Sequence, residues 1–384
     1  MERGLRNVIA LGLVSLFNDV STEMVLSVFP AFLLRILGAP MIVLGAIEGA
    51  SEAISYLLRA PFGYLSDRMK RRKPLLISGY GLSICIKPLL AFATSWTHAL
   101  TIRALDRVGK AIRTAPRDAL IADSVSRKLS GRAFGLHRSL DQLGAIIGPI
   151  LAFLLLTVVG YRGVFLISFI PGIAALMVLA SLVREMRPTR ALGRKSTMPR
   201  VSRKLIKYLM ITFVFSLGLY NYAFILAYAM EVCKVGPEFT PLIYALVNVL
   251  HVISGIPFGM LGDIIGIIAA LSLSYLLLGA TSLLAASVPS VAALIPVAVI
   301  YGFFQGAFET LSRASIATMA KESRGTVYGF FYVALGIGGL IGNSLMGALW
   351  DIAGYKVAFL YSALIALISF SMIWLMLGRA VSSA

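Results

Sequence analysis

Between residues 103 and 117, Arg103, Asp106, Arg107, Lys110, Arg113 and Arg117 recur every three or four positions. At 100° per residue they fall within an arc of about 120°, while Leu105, Val108, Ile112 and Ala115 take the opposite side. Asp19 with Glu23, and Glu48 with Glu52, are spaced i, i+4, which brings like charges together on one helix face. Two carboxylates sharing a site of low dielectric cannot easily both ionise, so such a pair is suited to taking up and releasing a proton. Asn18 on the first span, Arg59 on the second, and Arg138 and Asp141 on the fifth add polar and charged partners. The basic stripe has two readings: it neutralises carboxylates on neighbouring helices, or it binds an organic anion or relays protons. The first suits Arg113 to Asp118, beside Pro116 at the helix end; the second suits Arg103, Asp106 and Arg107.

The elements that position these groups are apolar. Of 384 residues, 59% are hydrophobic and 14% charged, against about 25% charged in a soluble domain, and mean hydropathy is +0.89. Twelve apolar runs centre on 8–34, 42–63, 74–94, 98–118, 132–157, 162–183, 204–230, 239–262, 265–287, 291–318, 326–349 and 356–378. Runs of about 18 to 25 residues cross a hydrocarbon core about 30 Å thick as helices. They are continuous rather than alternating, which excludes a transmembrane barrel. The fold class is an all-α membrane protein. An unpaired charge against lipid costs roughly 3 kcal/mol or more, so the charged stripe of the fourth span must face the protein interior or a water-filled cavity.

The net charge of +18 lies in alternate loops: 68–73, 110–132 and 184–207 are rich in Lys and Arg, while 94–98, 232–239 and 288–290 carry almost none. The positive-inside rule then places both termini and the middle loop in the cytoplasm of a multi-pass protein of the cell membrane. Nucleic acid is not an expected partner. The N-terminus does not read as a cleavable signal, since Asn18, Asp19 and Glu23 follow soon after it. Cys85 and Cys233 suggest neither a disulfide framework nor a metal site. No phosphate-binding loop, Cys/His cluster or G-x-S-x-G elbow is present, so neither an enzyme nor a cofactor is expected.

The chain also repeats itself. Gly131, Gly135, Gly144, Gly148, Gly160, Tyr161 and Phe165 match Gly325, Gly329, Gly338, Gly342, Gly354, Tyr355 and Phe359 at an offset of 194 residues, and 61–67 matches 257–263 at 196. Two homologous six-helix halves in parallel orientation follow: 1–183 and 204–384, joined by a polar linker, 184–203. Parallel halves around a midplane site are a recurrent plan for secondary transporters, which alternate access by rocking one half on the other.

At this point the sequence resembles the major facilitator superfamily over essentially its whole length. The loop after the second span follows the family frame G-x-L-A-D-R-x-G-R-[KR] with Gly63, Leu65, Asp67, Arg68, Arg71 and Arg72, and departs from it with Lys70 in place of Gly. The resemblance implies twelve transmembrane helices in two pseudo-symmetric six-helix bundles. It further implies that Gly63, Asp67, Arg68 and Arg71 hold a cytoplasmic gate, the second copy keeping only Asp263 of the charged set. Arg103, Ala104, Leu105, Asp106, Arg107 and Gly109 fit the frame R-x-x-Q-G-x-G of proton-coupled members, with Asp106 for Gln and Arg107 for Gly. Gly144, Gly148 and Pro149 resemble the G-x-x-x-G-P motif of exporters, without its terminal pair of glycines. Members usually work as monomers.

The second half is poorer in charge. Its candidates for a substrate cavity are Tyr220, Asn221, Tyr244, Asn248, His251, Glu309 and Tyr332, joined by Asn18, Arg107, Arg138 and Asp141 of the first half. Glu309 and Arg313 are spaced to satisfy each other, and His251 reads as a lone titratable group. Asp19, Glu23, Glu48, Glu52, Arg103 and Asp106 are the candidates for proton coupling. The expected function is proton-coupled secondary active transport of a small organic solute, an exporter of the drug-efflux type. The alternative is uptake or exchange of an organic anion on the basic face of the fourth span. A receptor or scaffold that moves nothing is the remote third reading.

Overall fold

The computed structural model describes residues 2–69, 71–126, 129–186, 202–319 and 324–377, so Lys70 and most of the 184–203 linker lie outside the described residues. These fold into helices with short connections. They are α1 (Glu2–Ala31), α2 (Met41–Met69), α3 (Lys73–Ile86), α4 (Trp96–Ser124), α5 (Ser130–Ile167), α6 (Phe169–Ser181), α7 (Arg203–Gly218), α8 (Ala223–Ala227), α9 (Thr240–Ile265), α10 (Ile267–Ser287), α11 (Val291–Met319), α12 (Arg324–Ala353) and α13 (Tyr355–Leu377). A π turn, Phe32–Ile36, extends α1; a 3-10 turn, Lys87–Phe92, extends α3; and a second π turn, Tyr228–Val232, extends α8.

Among the described residues, ten helical stretches are long and apolar enough to cross a bilayer by composition alone. One of them, Ser130–Ser181, is 52 residues long and holds two spans, because the chain turns at Gly160 with φ +66°. The remaining span is α4, whose charges exclude it from a purely apolar criterion. Twelve spans result. Gly354, the repeat partner of Gly160, turns the chain between α12 and α13 with φ +84°. Positive φ is open to glycine and costly for other L residues, which explains why both copies kept it. The seventh span is not continuous as the apolar run 204–230 suggests. It breaks after Gly218 and restarts at Ala223, whose amide donates to Asn221 Oδ1 at 3.0 Å, an acceptor that competes with the helix ladder.

The backbone packs as two compact units, Met1–Leu37 with Ile54–Arg194 and Gly38–Ala53 with Lys195–Ala384. In the first, α1 packs on α5 and α6, and α3 on α4; in the second, α7 packs on α12 and α13, and α10 on α11. The same pairings occur in each bundle, as a duplicated scaffold requires. The repeated glycines make one of them. A Cβ on Gly144 or Gly148 of α5 would meet the α1 backbone at Leu16 and Val20, and one on Gly338 or Gly342 of α12 would meet the α7 backbone at Phe213, Ser216 and Leu217. Without side chains there, the helix backbones approach closely enough for dispersion and packing to hold them in lipid.

The first half of α2 belongs to the second unit. Asp351, near the end of α12, accepts from the Met41 amide at 3.0 Å through Oδ1 and from the Ile42 amide at 2.8 Å through Oδ2. A carboxylate there satisfies orphan donors of the α2 N-terminus and complements its dipole. Gly45 and Gly49 then lie against Asn343 and Leu340 of α12.

Candidate functional site: buried charge in the first unit

Helix α4 begins at Ser95, whose hydroxyl accepts from the His98 amide at 3.4 Å, and then turns its charged arc inward. Arg103, Asp106, Arg107 and Arg113 are 2 to 5% exposed, whereas Leu105 on the opposite side is 38% exposed. The helix presents apolar residues outward and ions inward, as the cost of charge against lipid demands. Gly79 of α3 and Gly109 of α4 let the two backbones cross closely, bringing the arc to α3.

Two clusters divide the arc. In the upper one, Asp106 accepts from Ser83 of α3 and lies 3.7 Å from Arg103 Nη1. Lys87, Arg107 and Arg103 are its charged neighbours. Lys87, 2% exposed, donates to Thr22 of α1 at 2.8 Å. Arg103 also lies over the Phe29 ring, 5.1 Å from its centroid. One carboxylate thus sits among three cations, an arrangement that holds α1, α3 and α4 together through charge-assisted contacts. Lys87 was not singled out in the sequence. Its signal was available: a lone cation followed by Pro88 in the middle of an apolar run, where an ionisable residue demands a partner.

In the lower cluster, Asp19 of α1 meets Asp141 of α5 side chain to side chain. Asn18 Nδ2 donates to Asp19 Oδ1 at 3.0 Å, and Ser15 Oγ donates to Asp141 Oδ1 at 2.7 Å. Arg138 Nη1 donates to Asp141 Oδ2 at 3.1 Å, and Arg117 Nη1 stands 3.9 Å from Oδ1. Arg117 also bonds Asp118 at 3.0 Å. Arg113 lies over the Tyr80 ring, 4.6 Å from its centroid. Arg113 and Arg117, read from the sequence as neutralising carboxylates on neighbouring helices near the helix end, stand beside the two aspartates. Asp19 and Glu23 abut Gly144 and Gly148, so the glycine motif of α5 is where the acidic face of α1 is seated.

At one end of this unit, the G-x-L-A-D-R-like loop is organised around Arg72 rather than Arg68 or Arg71. Arg72 Nη2 pairs with Asp123 at 2.8 Å and lies 3.9 Å from Asp67, and its amide donates to Glu185 at 2.9 Å. Lys73 donates to the carbonyls of Ala180 and Val183 at 2.8 and 2.7 Å, closing the end of α6. Arg68 and Arg71 are exposed, and Gly63 faces Ala115 of α4. Arg59 lies 3.5 Å from the Ser55 hydroxyl and over Tyr56.

The second unit holds the remaining candidates. Glu48 is fully buried, and Glu52 is a charged neighbour of Tyr301. His251 is not a lone group: its Nε2 lies 2.6 Å from Glu309 Oε2, while Glu309 Oε1 pairs with Arg313 at 2.7 Å. Gly302 and Gly306 of α11 admit the α9 backbone at Val247 and His251, and that crossing brings residues 58 apart together. Tyr220 is fully buried, stacked on Tyr301 with centroids 5.4 Å apart, and its carbonyl accepts from the Tyr301 hydroxyl at 2.7 Å. Asn221 restarts the helix at α8, and its amide donates to Asn343 at 2.8 Å. Tyr244 packs on Tyr222 at 4.2 Å, Asn248 is buried, and Tyr332 lies against Tyr328 and Phe331. Among the described residues, no group of three or more His, Cys, Asp or Glu could hold a metal ion.

The sequence pattern of the Major Facilitator Superfamily matches residues 11–209 and again 208–384. An uncharacterized MFS-type transporter of Methanocaldococcus jannaschii is 32% identical over 95% of this chain and 93% of its own. Multidrug resistance protein MdtG of Dickeya zeae is 27% identical over 86% of this chain and 85% of its own. Among solved structures, a bacterial homolog of the human lysosomal transporter Spinster, inward-facing and occupied, superposes with TM-score 0.80 at 16% identity, covering 96% of this chain and 95% of that one.

Proposed function

The chain belongs to the major facilitator superfamily, a family of membrane transporters and not of enzymes, and on that premise we propose that it moves a small organic solute by proton-coupled alternating access. The observation that carries this reading is the ionisable interior of the first unit, where Asp19, Asp106, Arg103 and Arg107 lie within spans and in contact with one another's helices. Titratable groups inside spans mark ion and proton pathways. Asp19, Glu23 and Asp106 of the first unit, with Arg103, are the coupling groups; Glu48 and Glu52 join them from the first half of α2. The halves 1–183 and 204–384 rock about the 184–203 linker, with Asp67, Arg68, Arg71 and the Arg72 cluster at the cytoplasmic gate. The protein works as a monomer in the cell membrane with both termini in the cytoplasm.

Export of the drug-efflux type draws support from the similarity to the MdtG proteins. The glycines of α5 do not separate export from import, because they are explained by the seating of α1. The second reading, transport of an organic anion, is favoured by one observation: Arg103, Arg107 and Arg113 are buried on a single face of α4.

The test is solute flux into proteoliposomes under an imposed pH gradient, with a panel of lipophilic cations, organic anions and neutral sugars. Flux of at least one class should follow the gradient and collapse with a protonophore. Flux indifferent to the gradient would sink proton coupling. Arg107→Ala should abolish flux if the substrate is an anion and leave part of it if the substrate is a cation.

A further inference from the structure

We infer that Asp19 and Asp141 hold one proton between them, and that Tyr80 is the donor kept in reserve for the charge that appears when this proton leaves. The inference deepens the proton-coupled reading above and rests on it only for its consequence in transport. Asp141, expected from the sequence to line a substrate cavity, is by this inference also part of a proton site.

The first observation is that both carboxyls lie at the α1–α5 seam: Ser15, one turn before Asp19, donates to Asp141 Oδ1 at 2.7 Å, and Asp19 Cβ stands against Gly144, three residues after Asp141, so that the two side chains meet. Two ionised carboxylates offer only acceptors to each other, so a carboxyl–carboxyl hydrogen bond needs a proton on one of them. The polar, charged and titratable groups around the pair come from four helices and the turn after α3: Ser15, Asn18 and Glu23 on α1, Tyr80 on α3, Lys87 on the 3-10 turn, Arg113, Arg117 and Asp118 on α4, and His137 and Arg138 on α5. They are unevenly placed. Arg138 and Arg117 stand 3.1 and 3.9 Å from Asp141, to which Ser15 also donates, whereas Asp19 has Asn18 as its amide donor, Arg113 and Arg117 as charged neighbours and Glu23 as an acidic neighbour four residues on. The shared proton therefore belongs on Asp19, with Asp141 accepting from it.

The second observation is independent of the carboxyls. Tyr80 is 0% exposed and its hydroxyl has no hydrogen-bond partner among the described residues, although Asp19, Asp141, Arg113 and Arg117 are its charged neighbours. His137, 4% exposed, likewise leaves Nε2 without a partner beside Asp141, Arg117 and Asp118. A buried hydroxyl left unpaired costs free energy. A proton site explains its retention. With the proton in place, the carboxyls satisfy each other and Tyr80 waits; with the proton gone, a second carboxylate charge needs a donor, and the Tyr80 hydroxyl is the group at hand. The seating of Asp19 against Gly144 places this event at the α1–α5 seam, so loss of the proton puts two like charges across a close helix contact.

The experiment is infrared difference spectroscopy of the protein in lipid, titrated with pH and following the C=O stretch of protonated carboxyl groups. Asp19→Asn and Asp141→Asn should each remove the same band, and Glu23→Gln should leave it. A band that survives both substitutions, or that is lost in only one, overturns the shared proton. Tyr80→Phe keeps the packing of the ring and should move the midpoint of the band upward by about one pH unit, a roughly tenfold change in proton affinity. An unmoved midpoint overturns the role given to Tyr80. The measurement needs no substrate, so it separates the two readings. A titrating pair in a protein whose flux ignores the pH gradient leaves the site standing and removes coupling; gradient-driven flux without the band does the reverse.

Discussion

The two copies of the repeat share a seam and differ in what they bury beside it. At the α1–α5 contact, Gly144 and Gly148 receive Asp19 and Glu23; at the α7–α12 contact, Gly338 and Gly342 receive Ser216 and the backbone of Leu217. The first unit goes on to bury Lys87, Arg103, Asp106 and Arg107. The interior of 204–384 is aromatic instead, with Phe215 stacked on Tyr275 at 4.0 Å and Tyr220 on Tyr301. Its described charge cluster, His251, Glu309 and Arg313, is part-exposed. The scaffold thus sets helix spacing without reference to charge, and among the described residues the deeply buried charge clusters lie in the first copy.

The comparison breaks most directly at the buried ions. Asp106→Ala should cost about 3–5 kcal/mol, because it removes the buried carboxylate that lies among Lys87, Arg103 and Arg107. Tyr301→Phe, which removes an equally buried hydrogen bond from the neutral unit, should cost about 1 kcal/mol. Thermal unfolding in detergent should show the first variant melting far below the second; equal losses would mean that the ions of the first unit carry no special energetic weight.

A smaller effect sharpens the shared part of the comparison. Gly144→Val and Gly342→Val force a side chain into facing backbone, and each should cost about 3 kcal/mol, the upper end of ordinary overpacking. If only the charged seam suffers, the two contacts are not equivalent and the duplication argument fails at that point. The smallest effect belongs to the part-exposed cluster. Glu309→Gln should change stability by less than about 1 kcal/mol, since its partners are screened by solvent. A larger loss in thermal unfolding would place that cluster among the buried ones.

Much of the scaffold was legible because its signals are local. Apolar runs give spans, glycines at a constant offset give the duplication, and the 100° arc gives the buried face of α4. What escaped depends on tertiary crossings. Asp141 meets Asp19 across 122 residues of chain, Asp123 meets Arg72 across 51, and Glu309 meets His251 across 58, and no periodicity encodes such meetings. Lys87 escaped for another reason: a single cation inside an apolar run signals that it needs a partner, but the partner, Thr22, lies 65 residues away. Asn221 was read as lining because polar residues in spans invite that reading, yet its side chain competes with the helix ladder and restarts α8.

The clasp between Asp351 and the start of α2 has a consequence for how the chain is made. Its two ends are 310 residues apart. At about 5–20 residues per second, the ribosome needs roughly 15–60 s to deliver the second end after the first. Through that interval the leading half of α2, with Glu48 upon it, waits for the helix that will cover it. The second unit thus takes in a stretch, Gly38–Ala53, that is made long before the rest of it.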